Sequence, residues 1–221
     1  MKLLLTSAGV KNQSIHNALV DMLGKPIAES NALCIPTATY GHKGGWAGAY
    51  KFIHGVATTP MTELGWKSLG VLELSTLPTL PKDYWEPFVL ETDILLVNGG
   101  DPIYLSYWIR ESGLLDLFPK LDDKVWMGLS AGSLVMAPNI GVDFMSWPVP
   151  GGSDATLGVV DFAMFPHLDH PALPENTTAD AERWAAGMSI PCYAMDDETA
   201  IKVVDGKVEV ISEGNWKLLN A

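Results

Sequence analysis

The stretch Val125-Trp126-Met127-Gly128-Leu129-Ser130-Ala131-Gly132-Ser133 constrains the chain most. An apolar run of strand length stops at a serine, and small residues then lead into a helical pattern. A strand that turns at once into a helix is the corner of a layered α/β structure. Ser130 has Gly128 two positions before it and Gly132 two positions after it, the spacing of a nucleophile elbow. A nucleophile at a strand tip must point out of the sheet, so its backbone is pinched into a tight turn. Side chains at the flanking positions would clash there, and glycine avoids the clash. The following helix start offers unpaired N–H groups and a positive dipole end, which can hold a developing oxyanion. A Gly-Ser turn without chemistry fits the same short motif, so the rest of the chain decides.

Taken in order, residues 2–7 read as a first strand. Residues 12–23 carry Ile15, Ala18, Leu19 and Leu23 at helical spacing. Residues 32–36 are a second apolar strand, 37–48 a loop rich in Gly, Thr and aromatics, and 49–56 a helical stretch. A third strand falls within 66–74, and Pro78 and Pro81 mark the next loop. A helix over 81–90 opens on proline. Residues 93–98 form a fourth strand ending in Gly99-Gly100-Asp101-Pro102, and a helix over 103–115 leads to the elbow strand.

This alternation predicts an α/β fold, a mostly parallel sheet with helices on both faces. Ligands of such sheets bind beyond the carboxyl ends of the strands. Gly9, the 37–48 loop, Gly99-Gly100 and Ser130 all fall at that edge. The last third reads as short strands over 140–147 and 156–165, a helix over 173–187, and strands over 190–195, 199–204, 207–211 and 215–219. Asp205-Gly206 is a two-residue hairpin signal. No repeat or linker interrupts the chain, so residues 1–221 are read as a single α/β domain.

A formal net charge of -12 argues against a nucleic-acid partner, because phosphate binding wants a basic face. No apolar run reaches the length of a membrane span, so no membrane partner is expected. The apolar start of the chain is too short for a signal peptide and reads better as a buried strand. Cys34 and Cys192 both lie in apolar runs, which reads as two buried thiols in a reducing cytoplasm; a disulfide is the lesser alternative.

A serine nucleophile needs a base, and the base needs an orienting acceptor. Two histidines follow Ser130, in Phe165-Pro166-His167-Leu168-Asp169-His170. His167 comes directly after an apolar strand and is placed to face a cleft, while His170 precedes a proline and reads as a loop residue. The pair supplies too few ligands for a closed metal site, and no metal is expected. Asp143, Asp169, Asp196, Asp197 and Glu198 are the candidate acids. The last three form a cluster between two strands that could equally be a charged surface turn.

Four landmarks together resemble the peptidase E and cyanophycinase family of serine peptidases: Asn98-Gly99-Gly100 after an apolar strand, the Gly128–Gly132 elbow, Pro166-His167, and Met195-Asp196-Asp197-Glu198-Thr199-Ala200-Ile201 before a hairpin. The order Ser, His, acid is also that family's, and it differs from the Ser, acid, His order of α/β-hydrolases. The resemblance covers essentially the whole length. It implies a class I glutamine amidotransferase-like fold with serine in place of cysteine, and a C-terminal β-hairpin region. It implies Ser130 as nucleophile, His167 as base, Asp197 as acid, and the N–H groups of Gly100 and Ala131 as the oxyanion hole. Asp197 stands where the family often has glutamate, and Glu198 stays open as the acid. Asp101-Pro102 replaces a common Asn-Thr, and no Asn precedes Pro166.

The resemblance implies a cytosolic serine exopeptidase acting on small peptides, for instance dipeptides with N-terminal aspartate, and needing no cofactor. Such a carboxylate wants an arginine. Arg183 and Arg110 are the only two arginines. Arg183 fits better by position as the substrate-binding residue, although pairing with Asp180 or Glu182 would account for it equally. The alternative is a non-peptidase, amidotransferase-like protein that binds or senses a small molecule. The expected partner is a small peptide, and the expected state a monomer or homodimer.

Overall fold

The computed structural model describes residues 1–43, 45–148 and 152–221. In chain order it contains β1 (Lys2–Thr6), α1 (Gln13–Leu23), β2 (Asn31–Ile35), α2 (Gly45–Ile53), β3 (Ser68–Val71), α3 (Glu86–Glu91), β4 (Ile94–Val97), α4 (Pro102–Glu111), β5 (Val125–Leu129) and α5 (Ala131–Leu134). There follow β6 (Ala163–Phe165), α6 (Thr178–Ala185), β7 (Cys192–Met195), β8 (Thr199–Val204), β9 (Lys207–Ser212) and β10 (Trp216–Leu219).

Seven strands form the main sheet in the order β3-β2-β4-β5-β1-β8-β9. The five from β3 to β1 run parallel, and β8 and β9 add an antiparallel hairpin at one side. The α/β fold with a C-terminal hairpin is therefore present. Alternation along each strand sends neighbouring side chains to opposite faces. Leu3, Leu5, Leu95, Val97 and Trp126 pack into one core with α4 and α5. Leu4, Ile94, Leu96, Val125 and Met127 pack into the other, under α1 and Phe52 of α2. Two buried faces explain why these strands are apolar throughout.

A second sheet, in the order β10-β7-β6, carries the rest of the site. β6 and β7 are parallel, with Phe165 opposite Ala194, so the segments that follow them leave the sheet side by side. The chain then passes from β7 into β8, from the small sheet to the main one, within Asp196-Asp197-Glu198.

Several expected elements are shorter or absent. Residues 140–147 form a 3-10 turn at Val142–Phe144 and no strand. Their apolar side chains do not alternate in a ladder; Phe144 stacks edge-on against Phe165 and Trp184. Of residues 156–165 only Ala163–Phe165 is strand. The helix expected over 173–187 begins at Thr178, because Thr177 and Asp180 close a capping box there. The proline-opened helix over 81–90 is a 3-10 turn at Lys82–Tyr84 followed by α3. The helix expected over 49–56 starts earlier, at Gly45. No helix among the described residues is long and apolar enough to cross a membrane.

Candidate active site

Ser130 sits between β5 and α5 at φ 48° and ψ -111°, a conformation that L-residues rarely adopt. The backbone closes tightly on both sides of it. A Cβ on Gly128 would run into the Gly132 carbonyl, and a Cβ on Gly132 would run into the Val97 carbonyl. The turn is also pinned to β1. The Ser130 N–H donates to Thr6 O at 3.1 Å, and the Ser133 hydroxyl donates to the same oxygen at 2.8 Å. α5 has only four residues, so the donors available beside Ser130 are individual N–H groups rather than a long helix dipole.

Gly100 lies beside this turn at φ 142°, where a Cβ would collide with the Ala38 carbonyl. The N–H groups of Gly100 and Ala131 donate no hydrogen bond among the described residues. Both residues line, with Ser130 and His167, a cavity of about 300 Å³. Pro102, Leu134, Phe144, Met145 and Leu173 give that cavity an apolar wall, and His42, Asp143 and Asn176 add polar groups.

His167 follows β6 at φ 58°. Its Nδ1 lies 2.7 Å from Asp197 Oδ1. The partner carboxylate fixes the tautomer: Nδ1 carries the proton and donates it, which leaves Nε2 as an acceptor. Burial would raise the Asp197 carboxyl, but the hydrogen bond from His167 and the charges of His167, His170 and Lys11 outweigh it and hold it below the ordinary carboxylate range. No hydrogen bond joins Ser130 to His167 among the described residues, a bond that often tightens only when substrate is bound.

The neighbouring carboxylates are engaged elsewhere. Glu198 Oε2 accepts from the Asn12 amide at 3.0 Å. Asp196 accepts from the Glu198 N–H, the Thr199 hydroxyl and the Asn215 N–H, and so braces the turn. Asp169 is an exposed turn residue at φ 54°, and Asp143 stands on the cavity wall. His170 accepts the Ala172 N–H at Nδ1, so its Nε2 carries the proton, 3.7 Å from Asp197 Oδ2.

Arg183 stands on α6 with its side chain 72% exposed, paired with Asp180. It is not among the residues that line the cavity. Arg110 donates to Thr156 O at 2.7 Å. Cys34 and Cys192 are free thiols, each pushed up to about 11 by burial.

The contacts of two contributors escape a reading of the sequence. Asp101 is fully buried, caps α4 through the Tyr104 N–H, and accepts from the Ser146 hydroxyl at 2.5 Å and the Trp147 N–H at 2.7 Å. It thereby ties the cavity wall to the strand end that carries Gly100. An aspartate before Pro102 is a visible helix-cap signal, but its reach to Ser146 is not. Ser7 is also fully buried, and its hydroxyl accepts the His167 N–H at 2.7 Å. A polar residue closing an apolar strand was the available clue.

The model of peptidase family S51 matches residues 3–211. The chain belongs to peptidase family S51. This S51 chain is thus a member of a serine peptidase family. A comparison with curated protein sequences gave no match. Among solved structures it is similar to a candidate peptidase E protein from Listeria monocytogenes EGD-e, with a TM-score of 0.69 and 19% identity, over 96% of this chain and 98% of that one. It is also similar to a peptidase from an acI-B1 Actinobacterium, with a TM-score of 0.60 and 17% identity, over 100% of this chain and 94% of that one. At these identities the likeness speaks for the fold of the S51 chain.

Proposed function

We propose that this S51 member is a cytosolic serine exopeptidase that cleaves small peptides through an acyl-enzyme on Ser130. The single observation that carries the reading is the 2.7 Å contact of His167 Nδ1 with Asp197 Oδ1, on a histidine that lines one cavity with Ser130. The Ser130 hydroxyl attacks the scissile carbonyl carbon and its proton passes to His167 Nε2. The N–H groups of Gly100 and Ala131 receive the oxyanion. The intermediate collapses, the C–N bond breaks, and the leaving amine takes the proton from His167. Water then repeats the sequence on the ester and frees Ser130. Asp197 stays ionised and stabilises the imidazolium at both stages.

N-terminal aspartyl dipeptides are the substrates that the likeness to peptidase E suggests. Arg183 would read their carboxylate by leaving Asp180 and turning toward the cavity. The apolar wall of Pro102, Leu134, Phe144, Met145 and Leu173 favours a second reading, an uncharged apolar residue on the acyl side. Fluorophosphonate labelling followed by turnover of Asp-, Leu- and Phe-aminoacyl amides tests both levels. Label on Ser130 and its loss in Ser130→Ala support the nucleophile. An unlabelled protein favours the non-peptidase alternative. Preference for the Asp substrate supports the dipeptidase reading, and preference for Leu or Phe the other. Loss of Ser130 is expected to lower turnover by about a millionfold.

A further inference from the structure

Ser7 closes β1, the strand that pairs with both β5 and β8. Thr6 stands opposite Leu129 on one side and Ala200 on the other. The tip of β1 therefore lies between the strand that delivers Ser130 and the strand that follows Asp197. Its backbone is committed to both: Thr6 O accepts the Ser130 N–H at 3.1 Å, and the Ser7 N–H donates to Thr199 O at 3.3 Å.

The Ser7 side chain reaches the third member. Its Oγ accepts the His167 N–H at 2.7 Å, lies 3.4 Å from Asp197 Oδ1, and lies 3.5 Å from His167 Nδ1. Proton counting fixes the roles. The serine has one hydrogen, and His167 Nδ1 already carries the proton that it gives to Asp197. The Ser7 hydrogen therefore goes to the carboxylate. The same hydroxyl thus accepts from the backbone of the base and donates to the acid. His167 needs such a tie, because its left-handed φ of 58° is a conformation that a non-glycine residue holds only when its surroundings impose it.

We propose that Ser7 is a positioning residue for the reaction: its hydroxyl clamps the His167 backbone to the Asp197 carboxylate and registers both against the β1 tip that holds Ser130. The proposal rests on the assignment of Ser130, His167 and Asp197 given above. Ser7 touches no substrate in this scheme. It sets the direction in which Nε2 faces the nucleophile, and misplacement of a base by about an ångström can cost on the order of a hundredfold.

The test compares wild type with Ser7→Ala, Ser7→Thr and Ser7→Cys, using p-nitrophenyl acetate hydrolysis and the rate of fluorophosphonate labelling across pH. Ser7→Ala is expected to lower kcat by about ten- to a hundredfold, with KM within about twofold. Ser7→Thr keeps the hydroxyl and is expected to recover most of the rate. Removing a donor from the carboxylate leaves more charge facing the imidazolium, so the acid limb of the labelling profile moves to higher pH in Ser7→Ala. A merely structural role would lower stability and leave that limb in place. Wild-type kcat and an unmoved limb in Ser7→Ala overturn the proposal while Ser130 labelling keeps the peptidase reading. A wild type that takes no label overturns both. Should Ser7→Ala fail to fold, Ser7→Cys decides, because its thiol fills the site with a weak donor: a rate equal to that of Ser7→Thr overturns the proposal, and a markedly lower one supports it.

Discussion

Asp197→Asn separates charge from shape at the proposed acid. The carboxylate is about a quarter exposed and holds His167 Nδ1 at 2.7 Å through Oδ1, while Oδ2 faces the protonated Nε2 of His170 at 3.7 Å. An asparagine has one oxygen and one NH2 to place. With the oxygen toward His167 the geometry survives, but the imidazolium loses its counter-charge and the NH2 meets the His170 N–H. With the NH2 toward His167, Nδ1 must accept, the proton moves to Nε2, and the base points a hydrogen at Ser130. Either placement leaves His167 a poor base. Amide replacement of a triad acid costs roughly ten-thousandfold in kcat, about 5 kcal/mol of activation free energy. Glu198→Gln serves as the control, since its carboxylate is held by Asn12 on a different path. The assay is the second-order rate of fluorophosphonate labelling at neutral pH, with urea unfolding midpoints to show that the fold is retained. The reasoning fails if Asp197→Asn labels within tenfold of wild type, or if Glu198→Gln falls as far.

His167→Ala should abolish labelling, while His170→Ala should lower it by no more than about tenfold, because His170 reaches the site only through Asp197; the opposite ranking would reassign the base. Gly132→Ala should destabilise the chain by about 1–3 kcal/mol, as its Cβ meets the Val97 carbonyl; an unchanged urea midpoint would contradict the elbow geometry. The Asp197 carboxyl is lowered in the folded state from 3.8, so the unfolded chain binds more protons as pH falls. That stability is fully present above about pH 4 and is lost below it. The wild-type urea midpoint should therefore drop more steeply between pH 5 and pH 3 than that of Asp197→Asn; parallel curves would refute the linkage.

The parallel strands β1, β4 and β5 were legible because they are buried on both faces and so appear as apolar runs. The elbow was legible because two of its five positions, Gly128 and Gly132, are held to glycine by backbone contact alone. Residues 140–147 misled, because their apolar character serves a cavity wall rather than a strand. Phe144 meets Phe165 and Trp184, partners more than twenty residues away that no local period reveals. The start of α6 is written in Thr177 and Asp180, whose capping box stops the helix short of the expected residue 173. Ser7 was out of reach for a different reason. Its role exists only where two strands and the segment after β6 converge, and a single serine carries no mark of that meeting.

The crowding around Gly100, Gly128 and Gly132 divides the site into two kinds of material. Ser130 and the N–H groups beside it are set by main-chain packing so close that no side chain fits at the glycines, and substitution there has almost nowhere to go. The wall formed by residues 143–146 faces the same cavity with side chains, and Asp101 anchors it through the Ser146 side chain and the N–H groups of Ser146 and Trp147. Phe144 and Met145 can therefore be exchanged without touching the elbow. A designer who wished to redirect such a peptidase would randomise those two positions and leave the glycines alone, and natural divergence of substrate choice has the same path of least resistance.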